Sequence, residues 1–249
     1  MKSTVLFLVC TMVAWAAPKE PKQLPAGWPY DTIAHVVDGG TWSTEIVLAN
    51  LDSVESKYKL VFRGDDGRPL VFDVNGRPAA STYTGTIPAN GTVTLSTPGT
   101  SSTLRSGSAV LDTLGTDEVG IMAIFRQRIT GRPDFEATVI GGNGVEFNSV
   151  LPFDNVAGYV TGVAILNPSE FSSLAITMQI RDEAGVLLRT VPLNLAAGTK
   201  QVFVVSERYP ETAGKRGTLQ FEDVLVSLSV LGFRFSPGGG FTTIPLMER

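Results

Sequence analysis

Several stretches of the chain alternate apolar and polar residues with a period of two. The apolar positions of two such stretches are Tyr58, Leu60 and Phe62, and then Ile176, Met178 and Ile180. This period is typical of an antiparallel strand with one buried and one solvated face. Each stretch ends in an arginine of the polar phase, Arg63 or Arg181. We therefore expect Phe62 and Ile180 to point into a core.

Turn residues separate these stretches at regular intervals, so the pattern predicts short strands from Asp31 to the end of the chain. The first part contains the predicted strands 32–37, 43–50, 57–63, 68–74, 82–87, 91–97, 107–114, 119–129 and 134–140. The second part contains 149–154, 160–167, 174–181, 186–193, 199–205, 217–222, 225–235 and 240–246. One helical turn is predicted at Ser206–Tyr209, with Ser206 as its N-cap and Pro210 as its terminator.

One pattern occurs twice, because Trp42–Gly67 returns about 117 residues later as Tyr159–Gly185. The matched positions are Trp42, Thr44, Ile46, Leu48, Asn50, Arg63 and Gly67 with Tyr159, Thr161, Val163, Ile165, Asn167, Arg181 and Gly185. Further along, Phe125-Arg126 matches Phe233-Arg234. A repeat of this length predicts a tandem duplication. The predicted fold class is all-β, with two Ig-like antiparallel β-sandwich domains.

The predicted domain organisation follows from this repeat and from local composition. Its five segments are a signal peptide (1–16), a Pro-rich linker or arm (17–30), a first sandwich (31–140), a Gly-rich linker (141–148) and a second sandwich (149–249). The linker predicts a flexible hinge unless the two sandwiches pack on each other. The first sandwich carries an extra surface loop at about 73–86.

The N-terminus has the pattern of a secretory signal: Lys2, an apolar run over 5–13 and Ala14-Trp15-Ala16 before the cleavage site. We expect a secreted, cell-surface or periplasmic protein that has lost Cys10, its only cysteine, on cleavage near Ala16. The net charge of −4 and the pI of about 5.1 predict no nucleic-acid partner. No later segment resembles a membrane span.

Four charged residues flank a predicted hairpin, with Arg126 and Arg128 on one strand and Asp134 and Glu136 on the next. Each pair is spaced by two and so lies on one face of a sheet. The carboxylates could serve as acid and base in a polysaccharide hydrolase or lyase. Cross-strand ion pairing on a solvated face explains the same residues without catalysis.

Other candidate residues also have two interpretations. Weak calcium candidates are Asp65, Asp66, Asp73 and Asn75, although turn chemistry accounts for the same oxygens. Trp28 and Trp42 could form an aromatic platform for a sugar ring, yet Trp42 has a counterpart at a strand start and could be architectural. The single histidine, His35, has no accompanying nucleophile motif, so we expect a structural or surface residue and no cofactor.

Longer segments of the second half are LPFDN, GYVTGVAILNPS, RDEAG and LGFRFSPGGGFTTIP. In these segments the chain resembles a group of uncharacterised secreted tandem β-sandwich proteins of acidobacteria and similar soil bacteria. The resemblance implies a bacterial, secreted, Ig-like protein and brings no activity with it. We therefore expect a non-enzymatic interaction or structural module whose partner is an extracellular macromolecule or polysaccharide.

Overall fold

The computed structural model describes residues 31–113, 119–142, 148–222 and 228–248. The predicted all-β fold class is confirmed, because nearly all of the regular structure consists of strands in antiparallel sheets. The strands of the first half are β1 (Asp31–Asp38), β2 (Trp42–Asn50), β3 (Ser56–Gly64), β4 (Phe72–Val74), β5 (Arg77–Ala80), β6 (Thr82–Ile87), β7 (Thr92–Ser96), β8 (Arg105–Asp112), β9 (Val119–Gln127) and β10 (Phe135–Ile140).

The second half repeats this sequence of short strands. They are β11 (Ser149–Asp154), β12 (Val160–Leu166), β13 (Leu174–Asp182), β14 (Leu187–Leu195), β15 (Lys200–Val204), β16 (Arg216–Glu222), β17 (Ser229–Phe235), β18 (Phe241–Ile244) and β19 (Met247–Glu248). A single helical turn, α1 (Val205–Arg208), precedes a 3-10 turn at Pro210–Thr212. Ser206 lies inside α1 and not at its N-cap as predicted, because the helix begins at the buried Val205.

The strand order is the same in both halves. In the first half, sheet β1-β8-β3-β6 packs on sheet β10-β9-β2-β7. In the second half, sheet β11-β16-β13-β14 has β19 added at its β11 edge, and it packs on sheet β18-β17-β12-β15. Each strand of one half thus has a counterpart in the other, except for the small β4–β5 hairpin and β19. That hairpin replaces the single strand predicted at 68–74.

The predicted faces of the two repeated strands are confirmed. Phe62 is 1% exposed and Ile180 is 0% exposed, and each belongs to the core of its own half. Phe62 packs edge-on against Phe72 and Tyr83. The alternation on these strands therefore fixes their register, because a shift by one residue would bury an arginine.

The two halves also share side-chain hydrogen bonds at buried positions. Asn50 donates from Nδ2 to the carbonyls of Val54, Ile87 and Pro88, and its Oδ1 accepts from a backbone N–H two residues later. Asn167 has the same arrangement with the carbonyls of Ser172, Leu195 and Ala196. Each asparagine therefore joins the loop after its own strand to a neighbouring turn.

The matching predicted between β9 and β17 is wrong by one residue. Thr44 lies opposite Phe125, whereas its counterpart Thr161 lies opposite Arg234. Arg234, and not Phe233, therefore occupies the position of Phe125. As a result, Phe233 projects from the outward face of its sheet, while Phe125 lies in the core of the first half.

This outward face of sheet β15-β12-β17-β18 packs on the first half. One buried cluster contains the core of the first half together with Ala164, Leu166, Leu231, Phe233 and Phe241 of the second. The contact forms along β1 and β10, which are edge strands of the two first-half sheets. The second half thus closes the open side of the first.

Two glycines of the predicted linker, Gly141 and Gly142, are held in place by backbone hydrogen bonds. Thr32 N–H donates to the Gly142 carbonyl at 3.0 Å, and Gly141 N–H donates to the Ile121 carbonyl at 2.8 Å. The predicted hinge therefore does not include Gly141 or Gly142. Linker residues 143–147, like the predicted signal peptide and residues 17–30, lie outside the described residues.

Candidate functional site

The predicted carboxylate pair lies at the start of β10, with Asp134 just before the strand and Glu136 within it. Asp134 and Glu136 are both exposed, and Glu136 lies directly opposite Arg126 across the β9–β10 pair. Arg126 Nε donates to Glu136 Oε1 at 2.6 Å, and this hydrogen bond raises the pKa of the guanidinium. Cross-strand ion pairing therefore accounts for Glu136 and Arg126.

Arg126 and Arg128 meet Glu45 and Asn75 around a shallow depression of about 300 Å³. The β4–β5 turn brings Asn75 to this place, with its backbone at a φ of 51°. Asn75 also caps the edge strand β7, because its amide group bonds the backbone of Thr94 and Ser96. A capped edge is protected from unwanted strand pairing. Asp134 and Glu136 do not line this depression.

The four weak calcium candidates do not form one ligand set. Asp65 pairs with Lys200 and Asp66 pairs with Arg68. Asn75 is engaged at the edge of β7, and Asp73 lies on β4. Among the described residues, no group of three or more His, Cys, Asp or Glu side chains is arranged to hold a metal ion.

The predicted aromatic platform is only partly within the described residues. Trp42 is half-buried, and its ring lies 4.8 Å from the ring of Phe241 in the second half. That contact makes Trp42 part of the packing between the halves, which agrees with its architectural interpretation. Trp28 lies outside the described residues.

A buried cation joins the two halves, and the sequence did not predict it. The side chain of Lys200, at the start of β15, is 0% exposed. Its ammonium group contacts Asp65 Oδ1 at 3.1 Å, His35 Nδ1 at 3.3 Å and the carbonyl of Gly107. An ammonium group has three donors, so these three first-half partners satisfy it.

His35 accepts from Lys200 because its imidazole is neutral. Burial and the nearby Lys200 charge lower the pKa of His35 to about 3. The residue lies at a β-bulge in β1, between the regular pairs at Ile33 and Val36. A bulge turns a side chain away from its regular direction, and this one directs His35 towards Lys200. We call the contact between the two halves around Lys200 the junction. The single histidine is therefore structural, which is one of the two roles expected for it.

A charged cleft of about 560 Å³ opens at the base of the second half. We call it the base cleft; its lining includes Phe153, Asp154, Asp182, Glu183, Arg216 and Arg234. Three carboxylates and two guanidinium groups give this set a net charge of −1. The cleft is a candidate binding site because it gathers five charged side chains around one opening.

Asp154 organises the inner part of the base cleft. Its carboxylate accepts from Arg234 at 2.7 Å and pairs with Arg216 at 3.2 Å, while the Arg234 guanidinium lies 3.5 Å from the ring centre of Tyr159. Burial alone would raise the pKa of Asp154, but the hydrogen bonds from Arg234 and from the Val156 N–H outweigh it and lower that pKa. Asp154 is thus a fixed anion and not a proton donor near neutral pH.

Glu183 is the carboxylate of the base cleft that is available to bind a partner. It is exposed, and it has no hydrogen bond or ion pair within the described parts of the chain. Asp182, by contrast, accepts from the N–H groups of Ala184 and Val186 in its own turn. One sequence signal could have identified this position, because Glu183 follows Arg181 as Asp65 follows Arg63.

Comparison with protein-family models, with curated proteins and with solved structures finds no significant match for this chain. Within the described residues, no helix is long and apolar enough to cross a membrane. The functional candidates are therefore the open face around Arg126, the junction around Lys200 and the base cleft. The first and third are accessible from outside, whereas the junction is occupied by the protein itself.

Proposed function

We propose that this chain is a secreted, non-enzymatic interaction module that binds an extracellular macromolecule or polysaccharide. In this proposal its two halves are Ig-like sandwiches related by duplication, and they act as one rigid body. The proposed location is outside the cytoplasm, on the cell surface, in the periplasm or in the medium. In this proposal nucleic acid is not a partner, and the chain does not span a membrane.

The core shared between the halves is the observation that carries the proposal. The rings of Phe233 and Phe125 lie 5.0 Å apart across the junction, and Lys200 is buried against Asp65 beside them. A contact of this kind holds the outer surfaces of both halves in a fixed relation. Fixed surfaces lower the ordering cost of binding an extended partner.

The duplication is supported by details that lie beyond strand order. Thr44 Oγ1 bonds the backbone of Val37, and Thr161 Oγ1 bonds the backbone of Asp154 in the same way, in each case seven residues apart. The buried asparagines Asn50 and Asn167 give a second matched set. Two unrelated halves would have no reason to repeat such hydrogen bonds at matching positions.

The chemistry of the exposed charges favours binding over catalysis. Glu136 is ion-paired with Arg126 on an open face, where water would weaken any general acid or base. Asp154 is held by two arginines. A hydrolase or lyase that uses Asp134 and Glu136 is the alternative, and the experiment below distinguishes it.

The test combines a glycan array with a polymer-degradation screen on the mature protein, residues 17–249. We expect retention on at least one extracellular polymer without release of soluble fragments. Parallel runs of the Asp134→Asn and Glu136→Gln variants should retain the same binding. Fragment release that disappears in these variants would overturn the proposal in favour of the enzyme.

A further inference from the structure

The turn after β3 and the turn after β13 have the same construction. Arg63 donates from Nη1 to the carbonyl of Gly67 at 3.4 Å, and Arg181 donates to the carbonyl of Gly185 at 3.1 Å. Both glycines have a positive φ, 79° and 80°, which a residue with a Cβ rarely adopts. The turn is thus one structural unit present at the base of each half. We call the two copies the first and second base turns, residues 63–67 and 181–185.

The first base turn is a docking element within the molecule. Arg63 forms an ion pair with Glu170, and Asp65 forms one with Lys200. The Lys200 N–H also donates to the Asp65 carbonyl at 3.0 Å. Ala197 and Gly198 of the second half lie directly against Gly67. The first base turn therefore receives the loops at the top of a following sandwich.

The second base turn keeps the arginine and the final glycine, and no other described part of the chain lies against Gly185. Glu183 occupies the position of Asp65, because both turns have five residues and begin at a matched arginine. Gly217 occupies the position of Gly107, since it lies between β11 and β13 as Gly107 lies between β1 and β3. In the first half, the Gly107 carbonyl and Asp65 bind Lys200. In the second half, the corresponding place is the base cleft.

We infer that the base cleft is a docking site for a β-sandwich domain of a partner protein, which inserts a lysine side chain beside Glu183. The net charge of −1 in the cleft suits a single cation, and Glu183 is the cleft carboxylate that has no partner among the described residues. Phe153 and Ile244 supply an apolar wall for the stem of such a side chain. The partner's lysine would repeat the contact of Lys200 with Asp65.

A second copy of this chain is a poorer fit to the cleft. The top of the first half has Thr92 and Ser53 at the positions where the second half has Lys200 and Glu170. It therefore lacks the charge pair that docks on the first base turn. Lys200 itself is buried at the junction and is not free to enter another molecule. A different sandwich protein with an accessible lysine at this position is the partner that the charges favour.

This inference rests on the proposed role as an interaction module and names one partner for it. The probe is a water-soluble carbodiimide, which condenses a carboxylate and an amine in contact to an amide and takes up the lost water as a urea. The full mature chain is treated in the extracellular fraction of its source, and cross-linked peptides are identified by mass spectrometry. The Asp65–Lys200 contact at 3.1 Å is an internal positive control.

We expect Glu183 to be joined to a lysine in a β-strand of another protein, and the Glu183→Gln variant to lose that product. Binding of the purified partner should weaken at least tenfold in Glu183→Gln and remain unchanged in the matched control Glu222→Gln. The inference is overturned if Asp65 and Lys200 are joined while Glu183 is not, if Glu183 is joined only to another copy, or if Glu183→Gln leaves partner binding unchanged. Polymer binding that persists in any of those cases would leave the proposed function standing.

Discussion

Sheet β10-β9-β2-β7 of the first half and its counterpart β18-β17-β12-β15 of the second differ in what covers their outward faces. In the first half the outward face presents Glu45, Met122, Ile124 and Arg126, and none of these side chains is fully buried. In the second half the corresponding strands present residues that belong to the shared core or pack against it: Ala164, Leu231, Phe233 and Phe235. One fold can therefore offer this face to solvent or to a neighbouring sandwich, and the side chains on two strands decide which.

The largest effect on stability is expected from a substitution of Phe233 on the covered outward face. Its ring contacts Phe125, His35 and Phe241, so the Phe233→Ala variant should lose about 3–5 kcal/mol of unfolding free energy. Ile124, its counterpart on the exposed face, should lose roughly 1 kcal/mol when changed to Ala. Urea denaturation of both variants measures the difference. Equal losses would mean that the outward face of the second half is not a core face.

Substitutions at matched positions of the two halves should lower the unfolding free energy by the same amount. The Asn50→Ala and Asn167→Ala variants should each lose about 3 kcal/mol, because three carbonyls per site lose their buried donor. The matched control is Asn194→Ala, an exposed asparagine that should change stability by less than about 0.5 kcal/mol. A loss at only one of the two sites would contradict the structural equivalence of the halves.

The junction should respond asymmetrically to removal of its two charges. The Asp65→Asn variant leaves the buried Lys200 ammonium without its counterion, so it should cost about 2 kcal/mol. The Lys200→Met variant leaves Asp65, which is 47% exposed and can be hydrated, so it should cost about 1 kcal/mol. Thermal denaturation at fixed pH gives the order. The reverse order would indicate that the Lys200 side chain is hydrated.

Two titratable groups in β1, both half-buried, should have opposite effects on acid stability. The pKa of His35 is lowered to about 3, so between pH 6 and 4 the unfolded chain binds a proton that the folded chain does not. The stabilising contribution of neutral His35 is complete above pH 6.5 and should fall by about 1.4 kcal/mol per pH unit across that range. Burial raises the pKa of Asp31 to about 6, so the folded chain takes up a proton there first and gains stability as the pH falls.

These two contributions can be separated with variants. In Asp31→Asn, stability should decrease from pH 6 to pH 4, because only the His35 contribution remains. In His35→Gln it should increase over the same range, and in the parent chain the two contributions should largely cancel. Urea midpoints at pH 6, 5 and 4 provide the test. Identical pH profiles for both variants would contradict the burial of these groups.

The positions of most strands and the side of each strand that faces the core can be predicted from the sequence. The reason is that successive side chains of a strand point to opposite faces of the sheet, so a half-buried strand alternates apolar and polar residues. The faces of Phe62 and Ile180 were predicted from period alone. The β4–β5 hairpin was missed although Asn75-Gly76 is a strong turn signal, and both residues adopt positive φ. The sequence predicts this segment only as a surface loop, because its capping of β7 joins residues that are distant along the chain.

The sequence has no signal in these strands that distinguishes the half that packs through its outer face. Val163 to Leu166 is a continuous apolar run, and so is the matching Ile46 to Ala49, although alternate residues of that run are only half-buried. A continuous apolar run is therefore compatible with a strand buried on one face or on both. The contacts of Lys200 and Glu170 could not be predicted, because they join residues distant in sequence across a junction whose geometry no local pattern encodes. The base cleft was missed for the same reason.

The central claim is that the two halves share one core and fold as one unit. Differential scanning calorimetry of the mature chain tests it most directly. We predict a single transition whose calorimetric and van't Hoff enthalpies agree, and we predict that Phe62→Ala and Phe233→Ala both lower the midpoint of that one transition. Two transitions, with Phe62→Ala lowering one and leaving the other unchanged, would contradict the claim.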